Sequence, residues 1–455
     1  MTAWFGIIII IVLGWGTIHL AGIKTVRLES IALGWLIGSF LVSTFLFWVG
    51  WAGAWSLLMI AILLMTVFFV RKLQQATDIL SPMPLNEPSS NTSSHALLIK
   101  AFEVFIWMLI IFQLVYALFT VQWLTTQYWD SFHFWHLRAK YFFFERSLGL
   151  QDEPYWMLGA EKIHYPIHLP LLKALICALA GGWSENWVLG IDIINYTAFL
   201  IIVYLFVRQI SSSFIAVITL YLITSLPLIS IHLSAGFGDL TVAIYLVSAV
   251  IFWEKWRRWG DMKNLSLSGF LLAVTAWTKN DPIAIFFPIF LLATFLAGKW
   301  QAIKICLPAL LLPLLPWFIF KWKMGLGYNP RPTEDLIQFH PEALPFMAKV
   351  LVDTGGFSIL WGFLIFLLLW RCKPHLSKAL WPFAWGCIIM VFSVFIFTQN
   401  FKYLMLGTTF SRSLLQATPL LIIALVLRVV DIISEEKKPI KVPRSRTERN
   451  LQRRV

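Results

Sequence analysis

A single carboxylate lies in the aromatic and basic stretch QYWDSFHFWHLRAKYFFF, residues 127–144. Asp130 in this setting is suited to act as a general base, which takes the proton of a hydroxyl group as that group attacks a substrate. Arg138 and Lys140 follow it closely in sequence, and nearby cations favour the ionised form of a carboxylate among apolar side chains. The structural alternative is that Asp130 is the N-cap of a following helix, because Asp is a preferred residue at that position.

Two histidines follow Asp130 at spacings of three and six residues. On a regular helix, Asp130, His133 and His136 would share one face. Carboxylate and imidazole groups both bind divalent metals, so these three residues form a candidate metal site. Histidines beside tryptophan are also common on amphipathic surface helices, and we favour that interpretation. The sequence requires no cofactor and leaves a divalent metal as an open alternative.

Further polar residues stand at the ends of apolar segments: Asp239 begins one, Lys279 ends another, and Arg412 begins the last. Lys279 and Arg412 are suited to bind a phosphate group, since cationic donors bind such anions and arginine can do so bidentately. The alternative for both cations is an extended side chain that reaches lipid headgroups. The alternative for Asp239 is a carboxylate that only stabilises the start of a helix.

The composition of the chain determines the solvent in which these residues act. Of 455 residues, 59% are hydrophobic and 13% are charged, more apolar surface than one water-soluble domain can bury. The apolar segments have the length of about 20 residues that crosses a bilayer as a helix, and they lack the alternation of outer-membrane strands. The four cysteines show no paired spacing. The predicted fold is an all-α polytopic membrane protein.

Thirteen membrane spans are predicted from the apolar segments. They cover residues 3–22, 31–50, 54–70, 101–123, 187–207, 213–232, 239–253, 265–279, 282–298, 302–320, 356–370, 379–397 and 413–430. Residues 1–70 hold three leading spans, and the Pro- and Ser-rich residues 71–100 are a predicted cytoplasmic linker. Residues 101–430 form the main module, and 431–455 a basic cytoplasmic tail with too many charges to be buried.

The basic residues predict the orientation of these spans. With the amino terminus outside, 24 of the 36 lysines and arginines fall on the cytoplasmic side, as the positive-inside rule requires. The net charge of +13 then reports topology and affinity for anionic membrane lipids rather than for nucleic acid. Two long loops, 124–185 and 321–355, are external. Within the first, residues 131–149 and 168–183 are suited to helices that lie in the membrane interface.

The order of five motifs resembles the GT-C superfamily of membrane glycosyltransferases. These motifs are WDSFHFWHLRAK (129–140), HYPIHLP (164–170), GFGDL (236–240), TKND (278–281) and SRSLLQATP (411–419). Over residues 101–430 the chain is similar to the bacterial relatives of protein mannosyltransferases and to the aminoarabinose transferase. The resemblance implies inverting transfer of a sugar from a polyprenyl-phosphate donor to a glycan, lipid or protein acceptor, on the external face of a bacterial inner membrane.

The resemblance also implies roles for individual residues. Asp130 would be the base, and a single carboxylate suffices because the phosphate leaves as a stable anion. His164 stands where an acidic residue is common in the relatives, which puts a second carboxylate in doubt. The residues expected to bind substrate are Arg138, Lys140, His164, Tyr165, Asp239, Lys279 and Arg412.

Two other classes of function fit the same sequence. A transporter or flippase of lipid-linked sugars is expected to place ionisable residues in mid-span or to show inverted repeats, and here the ionisable residues lie mostly near span ends. A non-catalytic membrane assembly subunit is expected to tolerate the loss of Asp130.

Overall fold

The computed structural model describes residues 2–49, 94–123, 128–148, 164–326, 337–368, 370, 373–407 and 409–436. The described residues form helices and no strand. The α-helices are α1 (Thr2–Leu20), α2 (Arg27–Val49), α3 (Ser94–Trp123), α4 (His136–Glu145), α5 (His168–Ala180), α6 (Glu185–Ile210), α7 (Ser213–Thr224), α8 (Pro227–Ala235), α9 (Gly238–Trp259), α10 (Met262–Thr278), α11 (Asp281–Ile285), α12 (Phe287–Leu311), α13 (Leu315–Lys323), α14 (Ala343–Val352), α15 (Thr354–Phe357), α16 (Leu360–Leu368), α17 (Leu380–Phe397), α18 (Phe401–Met405) and α19 (Phe410–Glu436). A π-helical turn, Ser131–Trp135, leads into α4.

Seven stretches of the described residues are long and apolar enough to cross a membrane, and the bent pair α7–α8 would make an eighth. They are Ala3–Leu20, Arg27–Trp48, Leu97–Trp123, Glu185–Ile210, Asp281–Lys323, Leu380–Phe397 and Phe410–Glu435. The prediction of a helical membrane protein is confirmed, and the count of thirteen spans is not. The predicted span 54–70 and most of the linker and tail lie outside the described residues.

Several predicted spans differ in shape from simple straight helices. The sixth is α7–α8, bent by 66° between Thr224 and Pro227. The ninth and tenth form one apolar stretch that is broken at Lys299, where the backbone leaves helical geometry with φ 55° and ψ −156°. The seventh and eighth correspond to α9 and α10, which are buried along most of their length. These two helices therefore belong to the interior of the bundle.

The prediction that residues 168–183 lie in a membrane interface is wrong for α5. Every residue of His168–Cys177 is buried, because α5 packs between α1, α2 and α4. Its one lysine, Lys173, is inside the protein and forms an ion pair with Asp192. By contrast, α4 has both buried and exposed faces, with Phe142 buried and Phe144 exposed.

Charged residues gather at two opposite ends of the helical bundle. At one end, Lys255 pairs with Glu29, and the Asp431 carboxylate accepts hydrogen bonds from the backbone N–H groups of residues 375–377. The helices α9 and α19 both begin at the other end, which we call the site end. Asp239 and Arg412, in the first turns of these two helices, are in contact there. Glu29, Lys255, residues 375–377 and Asp431, which all belong to or adjoin segments predicted to be cytoplasmic, thus lie at one end of the bundle.

Candidate functional site

Five side chains of alternating charge form a continuous set of ion pairs at the site end, and we call this set the ionic chain. Arg412 Nη1 lies 2.6 Å from Asp130 Oδ2, and Arg412 Nη2 lies 2.7 Å from Asp239 Oδ2. Lys279 Nζ lies 2.8 Å from Asp239 Oδ1 and 3.0 Å from Asp281 Oδ2. Three carboxylates and two cations leave the ionic chain with one formal negative charge.

The ends of separate helices bring these side chains together. Asp239 lies in the first turn of α9, and a carboxylate there interacts favourably with the helix dipole. Lys279 follows the last residue of α10, Asp281 begins α11, and Arg412 lies in the first turn of α19. Asp130 directly precedes the π-helical turn. The consecutive helices α9 and α10 run in opposite directions, and α19 runs parallel to α9, so these termini all meet at the site end.

Asp239 is the buried centre of the ionic chain, with 0% of its side chain exposed. Its Oδ2 atom accepts from Nε and Nη2 of Arg412. Its Oδ1 atom accepts from Lys279 and from Nε2 of Gln416, each at 2.8 Å. A buried carboxylate is tolerated only when paired and hydrogen-bonded in this way. Asp239 is therefore built to hold two cations in place rather than to meet a ligand directly.

The two ends of the ionic chain are more open than its centre. The side chains of Asp130 and Arg412 are each 17% exposed and that of Asp281 is 29% exposed. The N-cap alternative for Asp130 is not supported, since its side chain makes no capping hydrogen bond and its backbone is already helical. The carboxylate is instead paired with Arg412, a residue 282 positions later in the chain.

Aromatic side chains surround the two cations. The Arg412 guanidinium lies 4.2 Å from the centre of the Phe237 ring, a favourable cation–π geometry. Tyr165 lies near Lys279, whose Nζ is 5.9 Å from the ring centre, and its hydroxyl donates to Asp281 at 3.5 Å. Burial and then the Asp281 carboxylate raise the pKa of Tyr165. Its hydroxyl therefore remains a hydrogen-bond donor at neutral pH.

Three other residues predicted to bind substrate occupy different positions. Arg138 is buried and donates to the backbone carbonyl of Tyr165 at 3.0 Å, and burial lowers its pKa to about 9. His164 is buried, and its carbonyl accepts from Asn280 Nδ2. Lys140 is exposed, with its ammonium 5.9 Å from the Trp183 ring centre. Arg138 and His164 thus support the backbone beside the ionic chain, and Lys140 lies on the surface.

The two histidines of the candidate metal set have separate surroundings. His133 is exposed and stacks on Trp129 with ring centres 4.5 Å apart. His136 is buried with Nε2 3.2 Å from Lys173 Nζ, and burial and then Lys173 lower its pKa to about 4. The prediction that His133 and His136 share a helix face with Asp130 assumed regular α-helical spacing. The π-helical turn has more residues per turn and changes that arrangement. Within the described part of the chain, no group of three or more His, Cys, Asp or Glu side chains is arranged to hold a metal ion.

Two members of the site, Asp281 and Gln416, were not among the residues predicted from the sequence. Asp281 lies two residues after Lys279 in the same TKND motif. Gln416 follows Arg412 by four residues, the spacing that places two side chains on one face of a helix, and this signal was available in SRSLLQATP. The polar residues 328–335 of the second long loop lie outside the described residues.

No protein-family model, curated protein or solved structure matches this chain. The GT-C resemblance therefore stays a prediction that rests on the five motifs.

Proposed function

We propose that this protein is an inverting glycosyltransferase that moves a sugar from a polyprenyl-phosphate donor to a hydroxyl acceptor. The observation that supports the proposal is the partly exposed Asp130 carboxylate, 2.6 Å from Arg412 at the site end of the bundle. The site end is the predicted external end, so the reaction would take place at the outer surface of a bacterial inner membrane. A lipid-linked donor would reach it without leaving the bilayer.

The proposed reaction needs one base and no strong acid. Asp130 accepts the proton of the acceptor hydroxyl as that oxygen bonds to the anomeric carbon. The bond from the anomeric carbon to the phosphate oxygen breaks at the same time, and its electron pair leaves with the polyprenyl phosphate. Attack from the face opposite the phosphate inverts the anomeric configuration. A glycosidase uses two carboxylates because its leaving alcohol must be protonated, and a phosphate makes the second one unnecessary.

Arg412 is the better placed of the two predicted phosphate ligands. Its guanidinium is partly exposed and presents five N–H groups, of which Asp239 and Asp130 engage three. The Lys279 ammonium is buried between Asp239 and Asp281. We therefore propose that Arg412 contacts the phosphate directly and that Lys279 neutralises Asp239. Asp281 and Tyr165 are suited to hydrogen-bond sugar or acceptor hydroxyls.

Turnover of defined donors tests the proposal. Purified protein in lipid nanodiscs would be given a panel of polyprenyl-phosphate sugars with short alcohol acceptors, and loss of each donor would be followed. Asp130→Asn is expected to lower kcat at least 100-fold, in keeping with the contribution of a general base. Asp261→Asn is the matched control, because Asp261 caps α10 at the opposite end and its loss should leave turnover unchanged.

The two other classes of function predict different outcomes. Equal turnover by Asp130→Asn and wild type would refute the base assignment. No turnover of any donor, together with movement of a lipid-linked sugar across liposomes, would favour a transporter or flippase. Neither turnover nor transport would favour an assembly subunit.

A further inference from the structure

The turn of residues 235–238 joins α8 to α9 and ends directly before the buried centre of the ionic chain. The Ser131 hydroxyl donates to the carbonyl of Ala235. The Lys173 ammonium donates to the next carbonyl, that of Gly236, at 3.4 Å. Two side chains from distant segments thus bind two consecutive carbonyls of this turn.

The same turn is packed too tightly for larger residues. Gly236 has φ 71°, a conformation that favours glycine, and a Cβ there would overlap the His136 imidazole. A Cβ at Gly238 would lie 2.8 Å from Cζ2 of Trp135, closer than van der Waals contact. The path of the backbone into α9 is therefore fixed by its neighbours on several sides.

Lys173 is the centre of a second polar group, which we call the lysine cluster. Its side chain is fully buried, and Nζ lies 3.1 Å from Asp192 Oδ2 and 3.2 Å from His136 Nε2. His136 Nδ1 lies 3.6 Å from Glu185. Asp192 alone would neutralise the buried ammonium. The additional contact with the Gly236 carbonyl links this cluster to the backbone that carries Asp239.

We propose that Lys173 is a positioning residue for the ionic chain. It holds the Gly236 carbonyl, and through the turn of residues 235–238 it fixes Asp239, which in turn holds Arg412 against Asp130. The effect on catalysis rests on the proposed function, whereas the positioning itself does not depend on it.

Two double variants separate positioning from simple charge balance. Lys173→Met/Asp192→Asn and Lys173→Gln/Asp192→Asn both remove the buried ion pair, so neither leaves an unpaired charge in the core. Only the glutamine variant keeps a hydrogen-bond donor for the Gly236 carbonyl. Lys255→Met/Glu29→Gln is the matched control, because it removes a buried lysine–carboxylate pair at the opposite end.

The first readout is the reactivity of a thiol placed within the ionic chain by Asp130→Cys. The four native cysteines would be replaced by alanine, and the rate of iodoacetamide alkylation would be followed against pH. We expect the methionine double variant to displace the midpoint by at least half a pH unit relative to the parent, because Arg412 no longer holds its position. The glutamine variant and the control pair should leave it in place. Superimposable profiles for the methionine and glutamine variants would overturn the proposal.

The second readout is turnover in the same three backgrounds with Asp130 restored. The methionine variant is expected to lower kcat about tenfold with little change in KM, and the glutamine variant to recover most of the loss. If the methionine variant displaces the alkylation midpoint but neither wild type nor any variant turns over a donor, the glycosyltransferase proposal is refuted and the positioning role of Lys173 is supported. Turnover of a donor, together with an unchanged alkylation midpoint in the methionine variant, would support the glycosyltransferase and refute the positioning role of Lys173.

Discussion

Replacing Asp239 by asparagine tests whether the buried centre of the ionic chain organises its open end. The change keeps the size of the side chain and one carbonyl oxygen, but it removes the charge that lies between Arg412 and Lys279. The two cations then face a neutral amide. Each retains one other carboxylate, Asp130 for Arg412 and Asp281 for Lys279.

The expected loss of stability follows from the burial of this residue. Removing one partner of a buried ion pair typically costs about 3–5 kcal/mol. We expect the lower value, about 3 kcal/mol in the free energy of unfolding, because Arg412 and Lys279 keep their second partners. The effect on turnover has a separate cause: Arg412 is no longer held from both sides, and a displacement of about 1 Å in a reacting geometry costs about 100-fold in rate.

The assay compares unfolding and turnover in Asp239→Asn and Asp431→Asn. Asp431 is also buried, and it accepts hydrogen bonds from the backbone of residues 375–377 and from the Ser377 hydroxyl at the opposite end. Denaturant titration in detergent is expected to show a loss of stability for both variants. Turnover per folded molecule should fall only for Asp239→Asn. Equal turnover by the two folded variants would show that the ionic chain has a purely structural role.

Three further predictions concern the turn, the buried histidine and the topology. Gly236→Ala should cost about 1–3 kcal/mol more stability than Gly260→Ala, measured by denaturant titration, because both glycines have positive φ but only the first would contact a neighbour. As the pH falls from 6.5 to about 4, the unfolded chain takes up a proton that buried His136 resists; this residue should therefore lower stability by about 3 kcal/mol over this range, and His136→Gln should reduce the pH dependence by that share. An exposed thiol from Phe132→Cys should react with a membrane-impermeant maleimide in intact cells, and one from Trp259→Cys only after permeabilisation; the reverse pattern would invert the predicted orientation.

Most of the residues of this site can be predicted from the sequence, whereas the ion pairs that they form cannot. Asp239, Lys279 and Arg412 each stand at the end of an apolar segment, and alternating spans bring such ends to one face, so their proximity could be expected. The pairing of Asp130 with Arg412 could not, because it joins residues 282 positions apart and no local pattern records it. Arg138, the cation nearest in sequence, contacts the Tyr165 backbone instead.

The burial of α5 was also beyond the reach of sequence. A lysine inside an apolar stretch is typical of a helix at a membrane surface, where the ammonium can reach water. In this fold the ammonium of Lys173 is neutralised by Asp192, a residue of the next helix. No pattern in the sequence indicates that these two residues pair. The π-helical turn at Ser131–Trp135 likewise has no signature in the residue pattern, and it changes the face on which His133 was expected.

The helices α9 and α19 are joined at both of their ends. At the site end Asp239 binds Arg412. At the opposite end Arg258 donates to the Leu376 carbonyl, and the Leu376 N–H donates to Asp431. Two helices fastened in this way form a rigid frame, since sliding or spreading them would break charged contacts at both ends together. We therefore expect α9 and α19 to keep their relative position when a ligand binds at or leaves the site end.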